Sequence, residues 1–198
     1  GGHSWGAFGL ANPHHALGKA IDIFSEAATK YTSSGPKVSY NVGRIGGGTS
    51  VNSIPFESWM EVDMRSVEPE RLKKIDEIFK ASMKQALAEY NKEVKKGPPL
   101  TMDMEVIGLR PSGVQKDELA VIQRSMAAAK YFGAEPSISP SSTNSNIPIS
   151  LGIPSITIGR GGVGGGAHSL HEWWMNKNGA EAIKFALLLT VAEAGMEK

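Results

Sequence analysis

The residues able to do chemistry are few and clustered. The five histidines fall in three places: His3, the pair His14-His15, and His168 with His171. Cysteine is absent, which excludes disulfides and thiolate zinc sites. Imidazole and carboxylate remain as the donors for any transition metal. His168 lies in Gly164-Gly165-Gly166-Ala167-His168-Ser169-Leu170-His171-Glu172-Trp173, after the apolar run Ile153–Ile158. Sheets of α/β type gather ligands at the C-terminal ends of their strands, so a histidine there on flexible backbone is a candidate zinc ligand. The plainer alternative is a polar loop histidine, because a catalytic zinc needs about three protein ligands.

Arg65 ends the polar face of the segment Phe56–Arg65. A guanidinium there could clamp a substrate carboxylate through two parallel hydrogen bonds, or pair on the surface with Asp63 or Glu61. Asn52, in a glycine-rich turn, could donate to a carbonyl or cap the turn. His14 and His15 fall in the first turn of a helix, where the helix dipole favours the neutral imidazole, and both read as surface residues. The loop Gly159-Arg160-Gly161-Gly162-Val163-Gly164 matches G-x-G-x-x-G after a strand. A dinucleotide fingerprint opens directly into a helix and has an acid at the end of the next strand. This loop runs instead into Ala167-His168-Ser169, and the acid at the right distance, Glu181, falls in a helix. The glycines are better read as letting backbone approach a ligand closely.

The elements that must position these residues show in the apolar spacing. Asn12-Pro13 is a cap followed by a residue preset for the first helical position. Leu17, Ala20, Ile21, Phe24, Ala27 and Tyr31 recur at helical spacing until Ser33-Ser34-Gly35-Pro36. Val38, Tyr40 and Val42 alternate with polar neighbours, and over Phe56–Arg65 the residues Phe56, Ser58, Met60, Val62 and Met64 alternate with Glu57, Trp59, Glu61, Asp63 and Arg65, which predicts two strands, the second with one covered face. A long helix is expected from Pro69 to Lys95, with Leu72, Ile75, Phe79, Met83, Ala86 and Tyr90 on one stripe. Leu100, Met102, Met104 and Val106 predict a further strand. The order points to an open-faced α+β sandwich. Its ferredoxin-like version needs one more strand before the first helix, and residues 1–9 are too short and glycine-rich to supply all of it.

Beyond Leu109-Arg110-Pro111-Ser112-Gly113 the pattern changes to α/β. Helices are expected at 117–132 and 179–194, a short extended stretch at 137–142 and a helical turn at 143–151. Ile153–Ile158 reads as a strand buried on both faces. Such a strand needs more neighbours than the chain provides, so the second piece reads as an incomplete α/β segment.

Composition narrows the partners. Lys and Arg total 21 against 20 acids, so net charge gives no case for nucleic acid or an anionic membrane. No apolar run approaches the roughly 20 residues of a membrane helix. No signal peptide opens the chain. A cytoplasmic location is favoured, with export left open because the start does not look like a natural N-terminus.

Six short motifs, in order and at matching spacing, make the chain resemble the zinc exopeptidase family of aminoacylase, carnosinase, glutamate carboxypeptidase and succinyl-diaminopimelate desuccinylase, peptidase family M20. Gly2-His3-Ser4 is similar to its G-H-S/A motif, and Gly48-Thr49-Ser50-Val51-Asn52-Ser53-Ile54-Pro55 to its G-x-x-x-N-x-I-P turn. Asp63-Met64-Arg65 is similar to its D-x-R strand end. Ser142-Thr143-Asn144-Ser145 stands where the family has G-T-D-A, followed by Gly152-Ile153-Pro154 and Gly166-Ala167-His168-Ser169-x-x-Glu172.

The resemblance implies a lid and dimerisation domain over residues 1–112, lacking part of its first strand, and the C-terminal part of the zinc-binding domain over 113–198. It implies a homodimer formed through the lid, acting on the amide bond of a dipeptide or N-acyl amino acid. His3 would reach the partner's active site and stabilise the oxyanion. Asn52 and Arg65 would hold the substrate's carbonyl and carboxylate. Thr143, Asn144, Gly161 and Gly162 would line the substrate site, and His168 would be the terminal ligand of a two-zinc centre. The remaining zinc ligands and the general-base Glu of the family have no match here, so the chain alone is expected to bind little or no zinc and to be inactive. Asn144 in place of the usual Asp and His171 in place of an acid are departures that bear on specificity. A non-catalytic dimerisation or small-molecule-binding module with a ferredoxin-like sheet is the alternative.

Overall fold

A computed structural model describes residues 1–195, which divide into two compact units, Gly1–Gly108 and the part from Leu109 onward. No helix among the described residues is long and apolar enough to cross a membrane.

In the first unit the order is β1 (Gly2–His3), α1 (Pro13–Thr32), β2 (Val38–Gly47), β3 (Ser53–Ile54), β4 (Ser58–Ser66) and α2 (Pro69–Glu93). Asn12 caps α1 by accepting a hydrogen bond from the His14 amide at 2.9 Å, and Pro13 opens the helix. β2 and β4 form an antiparallel pair from Val38 opposite Ser66 to Gly47 opposite Ser58, with a bulge between Val42 and Arg44. β1 pairs with β3 in a second small sheet.

The alternation puts Val38, Tyr40, Val42, Met60, Val62 and Met64 on one face, where they pack with Phe24 of α1 and Ile75 and Met83 of α2. Phe24 and Ile75 are fully buried. Phe24 meets Tyr40 and Phe79 edge-to-face, with centroids 5.0 and 5.1 Å apart. The opposite face carries Trp59, Asp63 and Arg65 in solvent. Both helices therefore lie on a single side of the β2–β4 pair, as the one-sided pattern requires. α1 runs the length of that pair: near its start His14 bonds Ser58, and near its end Thr29 bonds Tyr40 at 2.9 Å.

The expected strand at Leu100–Val106 is not formed. Asn91 brackets Leu100 with two 2.9 Å hydrogen bonds, and Met102 packs on the core, but the segment joins no sheet. Alternation recorded its one-sided burial, whereas a strand also needs a neighbour to satisfy its backbone.

The second unit holds α3 (Ala120–Tyr131), α4 (Asn146–Ser150), β5 (Val163–Gly165), β6 (Trp173–Met175) and α5 (Gly179–Ala194). α3 packs against α5, with Arg124 and Glu193 paired at 2.6 Å. The buried strand expected at Ile153–Ile158 is a second correction. The segment is extended but unpaired, with Ile153 53% and Ile158 36% exposed. Gln115 runs beside it, its carboxamide bonding both the amide and the carbonyl of Ser155, and Thr143 and Ser145 reach the Thr157 hydroxyl. The run has the composition of an interior strand, and the described residues supply no sheet to receive it.

Candidate functional site

In the lid-like unit, His3 and Asn52 are neighbours. His3 pairs with Ser53 across β1 and β3, and the Ser4 amide donates to the Asn52 carbonyl at 2.8 Å. The turn after β1 folds back so that the amides of Trp5 and Gly6 reach His3 Nδ1 at 3.2 and 3.4 Å. Two N–H donors on Nδ1 assign it as the acceptor nitrogen, which leaves the proton on Nε2 of the exposed ring. Asn52 is oriented in the same sense. Ser50 Oγ donates to its Oδ1 at 2.9 Å, so its NH2 group is the end that stays free. Two side-chain N–H donors, each with its acceptor atom already engaged, thus stand close together, His3 on β1 and Asn52 in the turn that leads into β3.

Arg65 lies elsewhere. It is opposite Ser39 near the far end of β4, seven residues beyond Ser58, where the Asn52 turn rejoins the strand. At about 3.3 Å per residue that separation is roughly 23 Å. Its Nε donates to Asp63 at 2.7 Å, and this bond raises the guanidinium pKa above its ordinary value. Both Nη atoms are left without a hydrogen bond among the described residues and can meet a carboxylate end-on. Within one chain the structure therefore brings His3 to Asn52 and does not bring Arg65 to either.

In the second unit the expected residues form three local groups. Thr143 shares Thr157 Oγ1 with Ser145, each hydroxyl 2.7 Å away, while Asn144 beside it is exposed. Gly161 and Gly162 lie under Trp174, whose indole donates to the Gly161 carbonyl at 3.3 Å and whose ring Arg160 covers at 5.3 Å. A Cβ on Gly162 would stand 2.5 Å from the indole nitrogen, so glycine is required there. His168 lies in the turn between β5 and β6 with φ +64°, its amide donating to Glu172 at 3.1 Å. It is not at the mouth of a parallel sheet. The fingerprint-like glycines run into β5, not into a helix.

The donors for a zinc centre do not assemble from these residues. No group of three or more His, Asp or Glu among the described residues is placed to hold a metal ion. Glu172, the carboxylate beside His168, is occupied by backbone.

Residues 1–91 match the family model of the peptidase dimerisation domain, M20_dimer. They are an M20 peptidase dimerisation domain. Its observed make-up is two helices over small antiparallel sheets. The chain is also similar in fold to the crystal structure of aminopeptidase PepT from Bacillus cereus ATCC 10987, with a TM-score of 0.51 at 24% identity. The match covers 92% of this chain and 47% of that one, so the chain spans about half the length of that aminopeptidase. No curated protein matches the sequence.

Within the M20 dimerisation domain two residues escaped the sequence reading. His14 is not only a surface residue: its Nδ1 lies 2.8 Å from Ser58 Oγ at the start of β4. Ser50 orients the Asn52 amide. A Ser-x-Asn-Ser turn is a recognisable signal for the second. Nothing local signals the first, because residues 14 and 58 meet only through the packing of α1 on the sheet.

Proposed function

We propose that this chain is the lid and the C-terminal catalytic-domain part of an M20-type metallopeptidase that hydrolyses the amide bond of a dipeptide or N-acyl amino acid. The paired outward N–H donors of His3 and Asn52 carry this reading. Acyl transfer from an amide builds negative charge on the carbonyl oxygen, and fixed donors aimed at that charge lower the barrier without reorganising. An imidazole held with Nε2 protonated and a carboxamide held with its NH2 free are two such donors. Arg65 supplies the matching clamp for a substrate carboxylate.

The roughly 23 Å between the two ends of β4 exceeds the span of a dipeptide-sized substrate. We therefore assign the donor pair and the clamp of each site to different protomers of a homodimer. In a two-fold dimer each of the two sites would then receive one set from each chain. The edge of β2 away from β4 is a ten-residue strand without a neighbour among the described residues, and it supports a dimer through the lid. We also read the lid as ferredoxin-like, supported by two helices on one sheet face and by Met102 joining their core.

From the second unit we carry Thr143, Asn144, Gly161 and Gly162 as substrate-site residues. His168 is carried as one ligand of a zinc centre whose other donors are not found among the described residues. The test is kinetic, on the full-length enzyme with a dipeptide and an N-acyl amino acid. Removing one oxyanion donor costs about 10²–10³ in kcat, so His3→Ala should show that loss with KM little changed. A His3→Ala enzyme with wild-type kcat would end the reading.

A further inference from the structure

We propose that His14 is a positioning residue that sets where the Asn52 amide stands, by propping the loop that leads to it. The proposal rests on the substrate role given to Asn52 above.

The imidazole of His14 is anchored on one edge and packed on the other. Nδ1 is 2.8 Å from Ser58 Oγ, and Ser58 in turn reaches the Gly46 carbonyl at 3.4 Å. The opposite edge lies under Gly47 and Gly48. A Cβ on Gly48 would fall 2.8 Å from His14 Nε2, and one on Gly47 would fall 3.1 Å from Cε1 and 2.5 Å from the Glu57 carbonyl. Both glycines have positive φ, +122° and +76°, so the chain turns against the ring in a conformation that favours glycine.

From there the loop has little else to hold it until Ser50 bonds Asn52 and Ser53, and Ser53 joins the β1 pairing. Beneath it is an open groove of about 510 Å³, lined by Asn12, His14, His15, Thr49, Ser50 and Pro55. The groove gives the loop space to fall into, and the imidazole occupies one side of that space. A shorter side chain at position 14 lets the segment from Gly48 to Val51 drop, and the Asn52 amide moves with it. Displacements near 1 Å in a substrate-positioning group cost about 10²-fold in rate at the extreme.

Two conservative substitutions separate the contacts. His14→Asn keeps a polar atom where Nδ1 meets Ser58 and deletes the edge under the loop. His14→Gln extends its amide toward the Nε2 position and keeps that edge. In the full-length enzyme, His14→Asn should lower kcat/KM about tenfold, His14→Gln should restore most of it, and thermal midpoints should stay alike. Combined with Asn52→Ala, His14→Asn should add nothing further, because residues acting through one group are not additive. Hydrogen exchange of the 47–53 amides should quicken in His14→Asn and not in His14→Gln. Wild-type kinetics for His14→Asn, or losses that multiply with Asn52→Ala, would overturn the proposal. A silent Asn52→Ala would instead remove the substrate role of Asn52, and unchanged loop exchange would remove the prop alone.

Discussion

Asn52 and Arg65 stand at opposite ends of one β-pair: the Asn52 turn closes beyond Gly47 and Ser58, whereas Arg65 faces Ser39. The D-x-R and G-x-x-x-N motifs are thirteen residues apart in sequence, which suggests neighbours. Seven of those residues are spent running along an extended strand, which carries the guanidinium away from the carboxamide. The consequence is a division of labour between protomers that subunit mixing can test. His3→Ala and Arg65→Ala homodimers should each be nearly inactive. In a mixed dimer one site receives both damaged residues and the other receives neither. Random exchange makes half the dimers mixed, so about a quarter of wild-type activity should return. Assayed after mixing and re-equilibration, no gain over the parents would place His3 and Arg65 of a site on the same chain.

The core of the first unit depends on Phe24. It is fully buried where α1, α2 and the β2–β4 pair meet, and its ring touches Tyr40 and Phe79 edge-to-face. Large-to-small changes at such a site lose transfer energy and leave a cavity, about 3–5 kcal/mol for Phe→Ala. Phe24→Leu should cost much less, since it restores most of the volume. Urea unfolding followed by circular dichroism measures both. Near-equal midpoints for Phe24→Ala and the parent would mean that the core closes elsewhere.

Much of this fold was legible because burial on one face leaves a period in the sequence. The Asn12-Pro13 start, the α1 and α2 stripes and the alternation of Met60, Val62 and Met64 all describe surfaces that the chain itself covers. Leu100–Val106 and Ile153–Ile158 have the composition of strands, but a strand is completed by its neighbours. No local pattern reveals whether those neighbours exist. The candidate site divides in the same way. His3, Asn52 and Arg65 were found by motif, and the His3–Asn52 pairing follows from two short strands. The distance to Arg65 depends on register, and the His14–Ser58 contact on helix packing, neither of which any local run of residues encodes.

Zinc affinity should separate this chain from a complete metal centre. His168 is one imidazole in a hairpin turn, and Glu172 beside it is engaged by the His168 amide. A catalytic zinc draws on about three protein ligands, and no such group forms among the described residues. Titration calorimetry on the 198-residue chain should give no tight site, and His168→Ala should leave the weak heats unchanged. Tight binding lost in His168→Ala would show that the chain gathers donors not seen together here.

The link between α1 and α2 should make stability depend on pH in a defined direction. Lys19 reaches Glu89 at 3.1 Å and Glu93 at 3.6 Å. The Glu89 carboxyl pKa lies below its ordinary value, first because Gln85 donates to it and then because Lys19 does. Lys19 is shifted upward, chiefly by its bond to Glu89. A depressed acid stabilises the fold above its unfolded pKa, about 4.3 for Glu, and loses that contribution as pH falls through the lower folded value. A raised amine stabilises below its unfolded pKa, about 10.4 for Lys, and loses the contribution as pH rises through the higher folded value. The stabilising window therefore spans neutral pH and closes at both ends. Both residues are only half-buried at the surface, so the effect is small and fades with added salt. Glu89→Gln should lower the thermal midpoint at pH 7 in low salt, and the gap to the parent should narrow toward pH 3 and at 1 M salt. A gap that persists unchanged in acid would assign the loss to packing of the Glu89 stem and not to its charge.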